Sequence, residues 1–162
     1  MAWLVSMNRM PPSEFAADVH AVSRLCRAPV QDALAILSSA AGLARWNLGL
    51  GRTQEQAPGR FSGISLFGGS AGVAQVQLDA ACGWVDYRVG SDAQHLVPRI
   101  QARVQPGAEL GYAEDSCVVT LMAWRSADMD DARWRRLCVT HEVEIDIIRA
   151  ELERVPDGGA PA

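Results

Sequence analysis

Apolar and polar side chains alternate along much of the central part of the chain. Apolar residues occupy every second position in the segments 74–78, 85–89 and 100–104, and polar or charged residues stand between them. This period of two is typical of antiparallel strands with one buried face and one solvated face. The segment 117–124 is apolar on both parities, which predicts a strand that is central in the sheet or covered on both sides.

Helical spacing is found on either side of this strand region. Apolar residues recur every three or four positions over 30–45, after Pro29 near the first turn of the predicted helix. A longer stripe follows Ser126, which we predict as the N-cap of a helix over about 130–155. The stripe consists of Trp134, Leu137, Cys138, His141, Ile145, Ile148, Leu152 and Val155. With a further strand within 14–25, this order of elements predicts an α+β fold containing an antiparallel sheet.

The composition limits both the class of protein and the chemistry available to it. The 162 residues are 49% hydrophobic and 21% charged, as is typical of one globular domain. We expect that domain at 13–155, with a flexible leader at 1–12 and a disordered tail at 156–162. The net charge of −4 argues against nucleic acid or an anionic membrane as the main partner. All 15 basic residues are arginine, which excludes Schiff-base, pyridoxal-phosphate and Walker A lysines.

The four cysteines are widely spaced. Cys26, Cys82, Cys117 and Cys138 form no C-x-x-C pair, which excludes zinc knuckles and thioredoxin-like redox motifs. The first residues lack the basic and apolar regions of a signal peptide, and no segment approaches the ~20 apolar residues that cross a bilayer. We therefore expect a cytoplasmic protein without membrane insertion, whose cysteines stay reduced.

Two glycine-containing segments match functional motifs only in part. The segment 68–72 fits G-x-S-x-G, but a predicted strand follows Ser70 where a nucleophile elbow requires a helix. A hairpin loop of small residues is the favoured interpretation. In the segment after 49–51, Gln54 stands in place of the third glycine of a dinucleotide-binding loop, and no helix is predicted to follow. Neither segment therefore predicts a hydrolase or a cofactor site.

The histidine in the long predicted helix also invites a metal interpretation. Ile145 occupies the place of the second histidine in H-E-x-x-H, although His141 and Glu144 could share one helical face. The other histidines, His20 and His95, have no partner at ligand spacing. The sequence therefore predicts no metal site and no cofactor.

The segments at 27–46 and about 130–154 carry a resemblance to a known superfamily. In the first, an Ala-Pro pair opens an apolar helix that ends at Trp46, just before the next predicted strand. Together with the long last helix, this resembles the START-like superfamily (SRPBCC or Bet v 1-like, with polyketide cyclase/dehydrase-type members) over roughly 14–155. The resemblance implies a helix-grip fold: an antiparallel sheet of six or seven strands curved around the long C-terminal helix, with an apolar cavity between them. It implies no catalytic residue, because members of the superfamily share no catalytic motif.

His141 is the central candidate residue. Trp134 and Leu152 lie about 20° to one side of it around the helix, and Ile148 lies about 20° to the other. It is therefore either a core histidine, satisfied by a backbone carbonyl or by Glu144, or a cavity residue that hydrogen-bonds a ligand. Burial is expected to lower its pKa below about 6.5, against the opposing influence of an ionised Glu144.

Aromatic residues supply further candidates for a cavity wall. Tyr87 shares its parity with Val85 and Val89, so its ring is expected to point inward with the hydroxyl seeking a partner. Trp124 ends the last strand and Trp46 ends the first helix, which places both near a cavity mouth. Core packing is the alternative role for each. The full candidate ligand-binding set is His141, Tyr87, Trp124, Trp46, Cys117, Ile145 and Ile148.

The charged residues of the predicted strands are expected on solvated faces. Asp86 and Arg88 lie on the parity opposite Tyr87, and Arg99 and Arg103 are interpreted in the same way. The charged residues at the start of the long helix are expected to be exposed rather than to form an anion site. They are Arg133, Arg135 and Arg136, beside Asp130 and Asp131.

The resemblance leaves three classes of function open. The first is binding of an apolar small molecule, lipid-, quinone- or polyketide-like, in a cavity between the sheet and the C-terminal helix. The second is a polyketide cyclase or dehydratase in which His141 serves as general acid and base. The third is a partner-binding module that uses the sheet surface. The sequence alone decides neither whether a reaction is catalysed nor which ligand is bound.

Overall fold

The structure, a computed structural model, describes residues 18–154. Its strands are β1 (Val19–Cys26), β2 (Gly51–Ala57), β3 (Arg60–Ile64), β4 (Ala71–Asp79), β5 (Trp84–Gly90), β6 (Val97–Pro106) and β7 (Cys117–Trp124). Its helices are α1 (Val30–Ser38), α2 (Ala40–Trp46) and α3 (Asp131–Leu152), and a 3₁₀ turn spans Ala108–Leu110. The predicted leader and tail, at 1–12 and 156–162, lie outside the described residues.

The seven strands form one antiparallel sheet in the order β1-β7-β6-β5-β4-β3-β2. The first described strand therefore pairs with the last, and the sequence-adjacent strands from β2 to β6 pair in succession. The three helices cover one face, and the core lies between that face and the helices. The predicted α+β helix-grip architecture is confirmed, with seven strands and a long C-terminal helix.

Alternation along the strands defines which face is covered. In β7 the side chains of Cys117, Val119, Leu121 and Ala123 are buried, whereas the intervening residues are half-exposed. The strand pairs with β1 on one side and β6 on the other, so it is an interior strand as its sequence predicted. Its second apolar face is thus only partly covered.

The side chains of β1 that point towards the core are not those that its sequence suggested. The apolar residues Val19 and Ala21 share one parity, but both are exposed in the structure. Val22 and Cys26 are buried instead, because the register with β7 places Cys26 opposite the buried Cys117. Pairing with an interior strand overrides the local apolar pattern here.

The first predicted helix is in fact two helices. The helical conformation is interrupted at Ser39. Its side chain caps α2 by accepting a hydrogen bond from the Gly42 backbone N–H at 3.1 Å. A Cβ at Gly42 would lie 2.1 Å from the Ile36 carbonyl oxygen, so only glycine allows the two helices to approach so closely. The break leaves carbonyls at the end of α1 free to accept hydrogen bonds from elsewhere.

The start of α3 also lies later than its predicted cap. Asp130 caps the helix by accepting a hydrogen bond from the Arg133 backbone N–H at 2.7 Å, whereas Ser126 belongs to the preceding turn. An aspartate at this position satisfies one of the open N–H groups of the first turn. No helix in the described part of the chain has both the length and the hydropathy that a bilayer crossing requires.

Candidate functional site

A cavity of about 720 Å³ lies between the sheet and the helices. Most of its wall is apolar, and the apolar wall residues are Leu43, Trp46, Leu50, Phe67, Ala71, Val73, Ala74, Tyr87, Val89, Val97, Ile100, Leu121 and Leu137. One side is open to solvent, where the exposed residues Phe67, His95 and Asp128 border it. This volume falls within the roughly 300–1,000 Å³ typical of small-molecule sites.

The inner limit of the cavity is set by α3. Residues of α3 from Arg133 to Glu144 border the cavity, whereas Ile145 and Ile148 are fully buried in the continuous core. The apolar stripe of the helix therefore faces the cavity over its first half and a filled core over its second half. His141 and Glu144 lie at the boundary between the cavity and the filled core.

Tyr87 and Trp46 connect the cavity wall to the break between α1 and α2. The Tyr87 hydroxyl donates to the Leu37 carbonyl at 2.7 Å, and Trp46 Nε1 donates to the Ile36 carbonyl at 3.0 Å. The two rings meet edge to face with centroids 6.3 Å apart. Burial raises the pKa of the Tyr87 hydroxyl well above its usual value of 10.0. Both polar atoms are thus satisfied by backbone carbonyls, which fixes the rings in place.

His141 is buried and borders the cavity without a hydrogen bond at Nδ1 from any part of the chain that the structure describes. Its ring centroid lies 5.9 Å from that of His20 on β1. Burial, with a smaller contribution from His20, lowers the pKa of His141 from 6.5 to about 4. The predicted direction is confirmed, but the neighbouring charge that matters is His20 and not Glu144. The imidazole is therefore neutral at pH 7 and can donate or accept one hydrogen bond to a ligand.

Glu144 is a buried polar residue of the cavity wall that is not in the candidate ligand-binding set. It is buried, and its carboxylate accepts a hydrogen bond from the Leu48 backbone N–H at 2.7 Å. Burial raises the pKa of Glu144 to about 7, although hydrogen bonds from the Leu48 and Gly49 backbones act in the opposite direction. The sequence did contain a signal, because Glu144 stands three residues after His141 and four before Ile148 on the same stripe.

Arg99 also borders the cavity, which corrects the expectation of a solvated position. Tyr87 pairs with Ile100 and Arg88 pairs with Pro98, so Arg99 is an extra residue in β6. Such a β-bulge changes the direction of the side chains beyond it. Val97, two residues before Arg99 in the sequence, consequently also lines the cavity. No pattern in the sequence marks this bulge.

The arginines at the start of α3 are exposed, as predicted, but two of them also border the cavity. Arg133 and Arg136 border the cavity, because the first turns of α3 pass along its open side. Arg135 does not border it, and neither does Arg103, whose guanidinium lies 5.1 Å from the centre of the Trp84 ring. The predicted solvated positions thus divide into cavity-edge and outer-surface residues.

The structure brings together only part of the candidate ligand-binding set. His141, Tyr87 and Trp46 border the same cavity. Cys117, Ile145 and Ile148 are fully buried in the filled core instead, because the sheet and helices are in direct contact there. Trp124 lies on the half-exposed parity of β7, opposite to that of the buried Ala123, and does not border the cavity.

The remaining sequence motifs have structural explanations. The first three residues of the G-x-S-x-G segment, 68–70, lie in the loop between β3 and β4, and its last two residues begin β4 rather than a helix. Ser70 in this loop borders the open side of the cavity. Within residues 18–154, no three side chains of histidine, cysteine, aspartate or glutamate are grouped as metal ligands.

The sequence matches no protein-family model and no curated protein. Among solved structures, a START superfamily protein from Mycobacterium smegmatis is similar with a TM-score of 0.62 and 12% identity, over 85% of this chain and 98% of that one. Zhui aromatase/cyclase from a Streptomyces species gives a TM-score of 0.62 and 15% identity, over 86% and 95%. The di-domain aromatase/cyclase BexL gives 0.64 and 15%, over 84% of this chain and 46% of that one. The chain therefore has the START-like fold that these structures share.

Proposed function

We propose that this protein binds an apolar small molecule, lipid-, quinone- or polyketide-like, in the cavity between its sheet and α3. The observation that carries the proposal is the cavity itself: about 720 Å³, mostly apolar, and open on one side. Sites for small molecules combine such a wall with a few polar groups that fix the orientation of the ligand. His141 and Glu144 are polar groups of this kind.

The two polar groups suit an uncharged part of a ligand. A neutral His141 borders the cavity and can offer one hydrogen bond to a ligand, since its buried Nδ1 has no partner among the described residues. The carboxyl of Glu144 can also donate a hydrogen bond when it is protonated, since its pKa is about 7. Similarity of fold to two aromatase/cyclases and a START protein supports the same class of ligand.

The proposal can be tested by measuring binding of an apolar fluorescent probe and by native mass spectrometry of the purified protein. A matched pair of variants separates the cavity from the rest of α3. Leu137→Trp places a large ring in the cavity, whereas Val139→Trp adds the same ring at a position that is 60% exposed on the same helix. We expect binding to be lost in Leu137→Trp and retained in Val139→Trp. A wild-type protein that binds neither probe nor copurified molecule would contradict the proposal.

A second candidate function is supported by the shifted pKa values of one carboxyl and one imidazole group, Glu144 and His141, at the inner end of the cavity. An acid or base is most effective when its pKa is close to the working pH, and Glu144 has a pKa of about 7. An enzyme of the cyclase or dehydratase kind would thus use Glu144 to transfer protons, with neutral His141 beside it as a weak base. Groups with perturbed pKa values are enriched in active sites.

Product analysis with a poly-β-ketone substrate tests this second candidate. Glu144→Gln should abolish an accelerated formation of aromatic product while leaving the binding of the substrate close to that of wild type. If the wild-type protein gives no more product than the uncatalysed reaction, the enzyme hypothesis is wrong and the binding proposal is unaffected.

A further inference from the structure

Three arginines border the open side of the cavity. Arg99 comes from the bulge of β6, and Arg133 and Arg136 come from the first two turns of α3. Within the described part of the chain, none of the three guanidinium groups forms an ion pair. Six other arginines do lie within 4.0 Å of a carboxylate oxygen: Arg24, Arg27, Arg45, Arg125, Arg149 and Arg154.

Arg99 is held in a particularly unfavourable environment. Its side chain is half-buried, and its Nε has no hydrogen-bond partner among residues 18–154. Burial and the charge of Arg133 both lower the pKa of its guanidinium, although the group remains charged at any physiological pH. A buried donor without a partner and a charge beside a like charge are both destabilising. An anion bound to this guanidinium would offset the repulsion between the two arginines.

The acidic groups at this opening do not balance the three positive charges. Asp128 contributes one negative charge, and polar groups of its own turn, followed by the charges of Arg133 and Arg99, lower its pKa. His95 lies 2.8 Å from the Asp92 carboxylate, so it is paired outside the cavity. The opening therefore carries a net positive charge.

The opposite end of the cavity has different chemistry. Glu144 lies eight residues beyond Arg136, which is about 12 Å along the helix axis. Between the two ends the wall is mostly apolar. A ligand that spans the cavity would thus meet cationic groups at its outer end, hydrocarbon along its length, and His141 and Glu144 at its inner end.

We propose that the ligand is an amphiphile with an apolar body and a terminal oxyanion, a carboxylate or a phosphate monoester, which Arg99, Arg133 and Arg136 bind at the opening. Guanidinium groups bind both oxyanions through paired N–H donors, which makes arginine well suited to either. This inference rests on the proposed binding function and specifies the chemistry of its ligand.

The test compares three probes with the same twelve-carbon chain: dodecanoate, dodecyl phosphate and the neutral 1-dodecanol. Their affinities are measured by displacement of an apolar fluorescent dye below the concentrations at which the probes aggregate. We expect at least one anionic probe to bind about tenfold or more tightly than dodecanol, since a hydrogen bond to a charged group typically contributes that much. Which anion binds more tightly distinguishes a carboxylate ligand from a phosphate ligand.

Single substitutions then locate the anion. In Arg99→Gln and Arg136→Gln the advantage of the anionic probe should fall towards onefold, while the affinity for dodecanol stays close to that of wild type. Arg135→Gln is the charge-matched control, because Arg135 lies on the same helix but does not border the cavity. Arg136 is exposed, so its variant remains informative even where Arg99→Gln fails to fold.

The outcomes separate this inference from the function on which it rests. Equal binding of dodecanol and both anions would overturn the oxyanion site and leave the apolar cavity supported. Equal losses for all probes in Arg99→Gln, or equal losses in Arg135→Gln and Arg136→Gln, would also overturn it. Failure of the wild-type protein to bind any of the three probes would overturn the inference and the proposed function together.

Discussion

The two halves of α3 carry one continuous stripe but have different surroundings. In the second half, Ile145 and Ile148 are fully buried in a filled core. In the first half, Leu137 and His141 on the same stripe border a cavity. A helical stripe thus predicts that a face is covered by the sheet, but not that the space beneath it is filled. The sheet determines the difference, through the positions where it lies against the helix and where it leaves room.

The charges on the two halves differ in a similar way. The second half is tied to the start of the fold, since Arg24 donates to Asp146 at 2.7 Å and Glu153 accepts from the Arg27 backbone N–H at 3.0 Å. The first half carries Arg133 and Arg136 without such partners in the described part of the chain. Exposed ion pairs contribute little to stability individually, so the core side chains are the better probe of the two halves.

The largest expected effect comes from removing a core side chain of the second half. Ile148→Ala should destabilise the protein by about 2–5 kcal/mol, because it opens a new cavity in a filled region. Leu137→Ala only enlarges an existing cavity, and should cost about 1 kcal/mol or less since the side chain is already partly solvated. Urea unfolding at pH 7 measures both. Equal losses in the two variants would mean that the two halves of α3 are packed alike.

At the boundary between the halves, Glu144 should make stability depend on pH. The carboxyl loses its proton near pH 4.5 in the unfolded chain but near 7 in the folded protein. Its stabilising contribution is therefore complete below pH 4.5 and is lost as the pH rises through 7. Glu144→Gln should be more stable than wild type at pH 8 by up to about 3 kcal/mol, with little difference at pH 4.5. Denaturant titrations at the two pH values check this, and a gain of equal size at both would contradict it.

His141, on the same boundary, should act in the opposite direction. Its pKa falls from 6.5 in the unfolded chain to about 4 in the folded protein, so its contribution is complete above pH 6.5 and is lost as the pH falls through 4. The protonation of His141 should lower the free energy of unfolding of the wild type by about 2.5 kcal/mol between pH 7 and pH 4.5. His141→Gln should lack this decrease. An NMR titration gives the pKa directly, and a value above 6.5 would be incompatible with a buried imidazole.

A smaller effect than that of Ile148, Glu144 or His141 is expected on the wall opposite α3. Tyr87→Phe removes the hydrogen bond to the Leu37 carbonyl and leaves that buried acceptor without its partner, for a loss of about 1–2 kcal/mol. Tyr112→Phe is the matched control, because Tyr112 is exposed and should lose almost nothing. Thermal unfolding of both variants measures the difference. A loss in Tyr112→Phe as large as that in Tyr87→Phe would show that the hydroxyl contact is not its cause.

The fold was largely predictable because alternation and helical spacing are local properties of the chain. The inward position of Tyr87 followed from its parity, and the burial of His141 followed from the centre of its stripe. The position of Trp124 did not follow, since β7 is apolar on both parities and the sequence leaves its inner face undecided.

The details of the cavity depend on contacts between distant segments, which the sequence does not display. The bulge at Arg99 appears only in the pairing of β5 with β6. The raised pKa of Glu144 comes from burial beside a loop nearly a hundred residues earlier, where Leu48 donates to it. The apolar pattern of α3 therefore predicted which face of the helix borders the cavity, but not the role of Glu144 on that face.

The pairing of β1 with β7 has a consequence for how the protein folds. The hydroxyls of Ser23 and Thr120 meet at 2.7 Å although 97 positions separate them along the chain. Pairing such distant segments requires the closure of a long loop, and the entropic cost of that closure slows folding relative to proteins with local contacts. On the ribosome, β1 must wait until nearly the whole domain has been synthesised before its partner strand is available. Until then β1 has unpaired backbone edges, which favour aggregation with other chains.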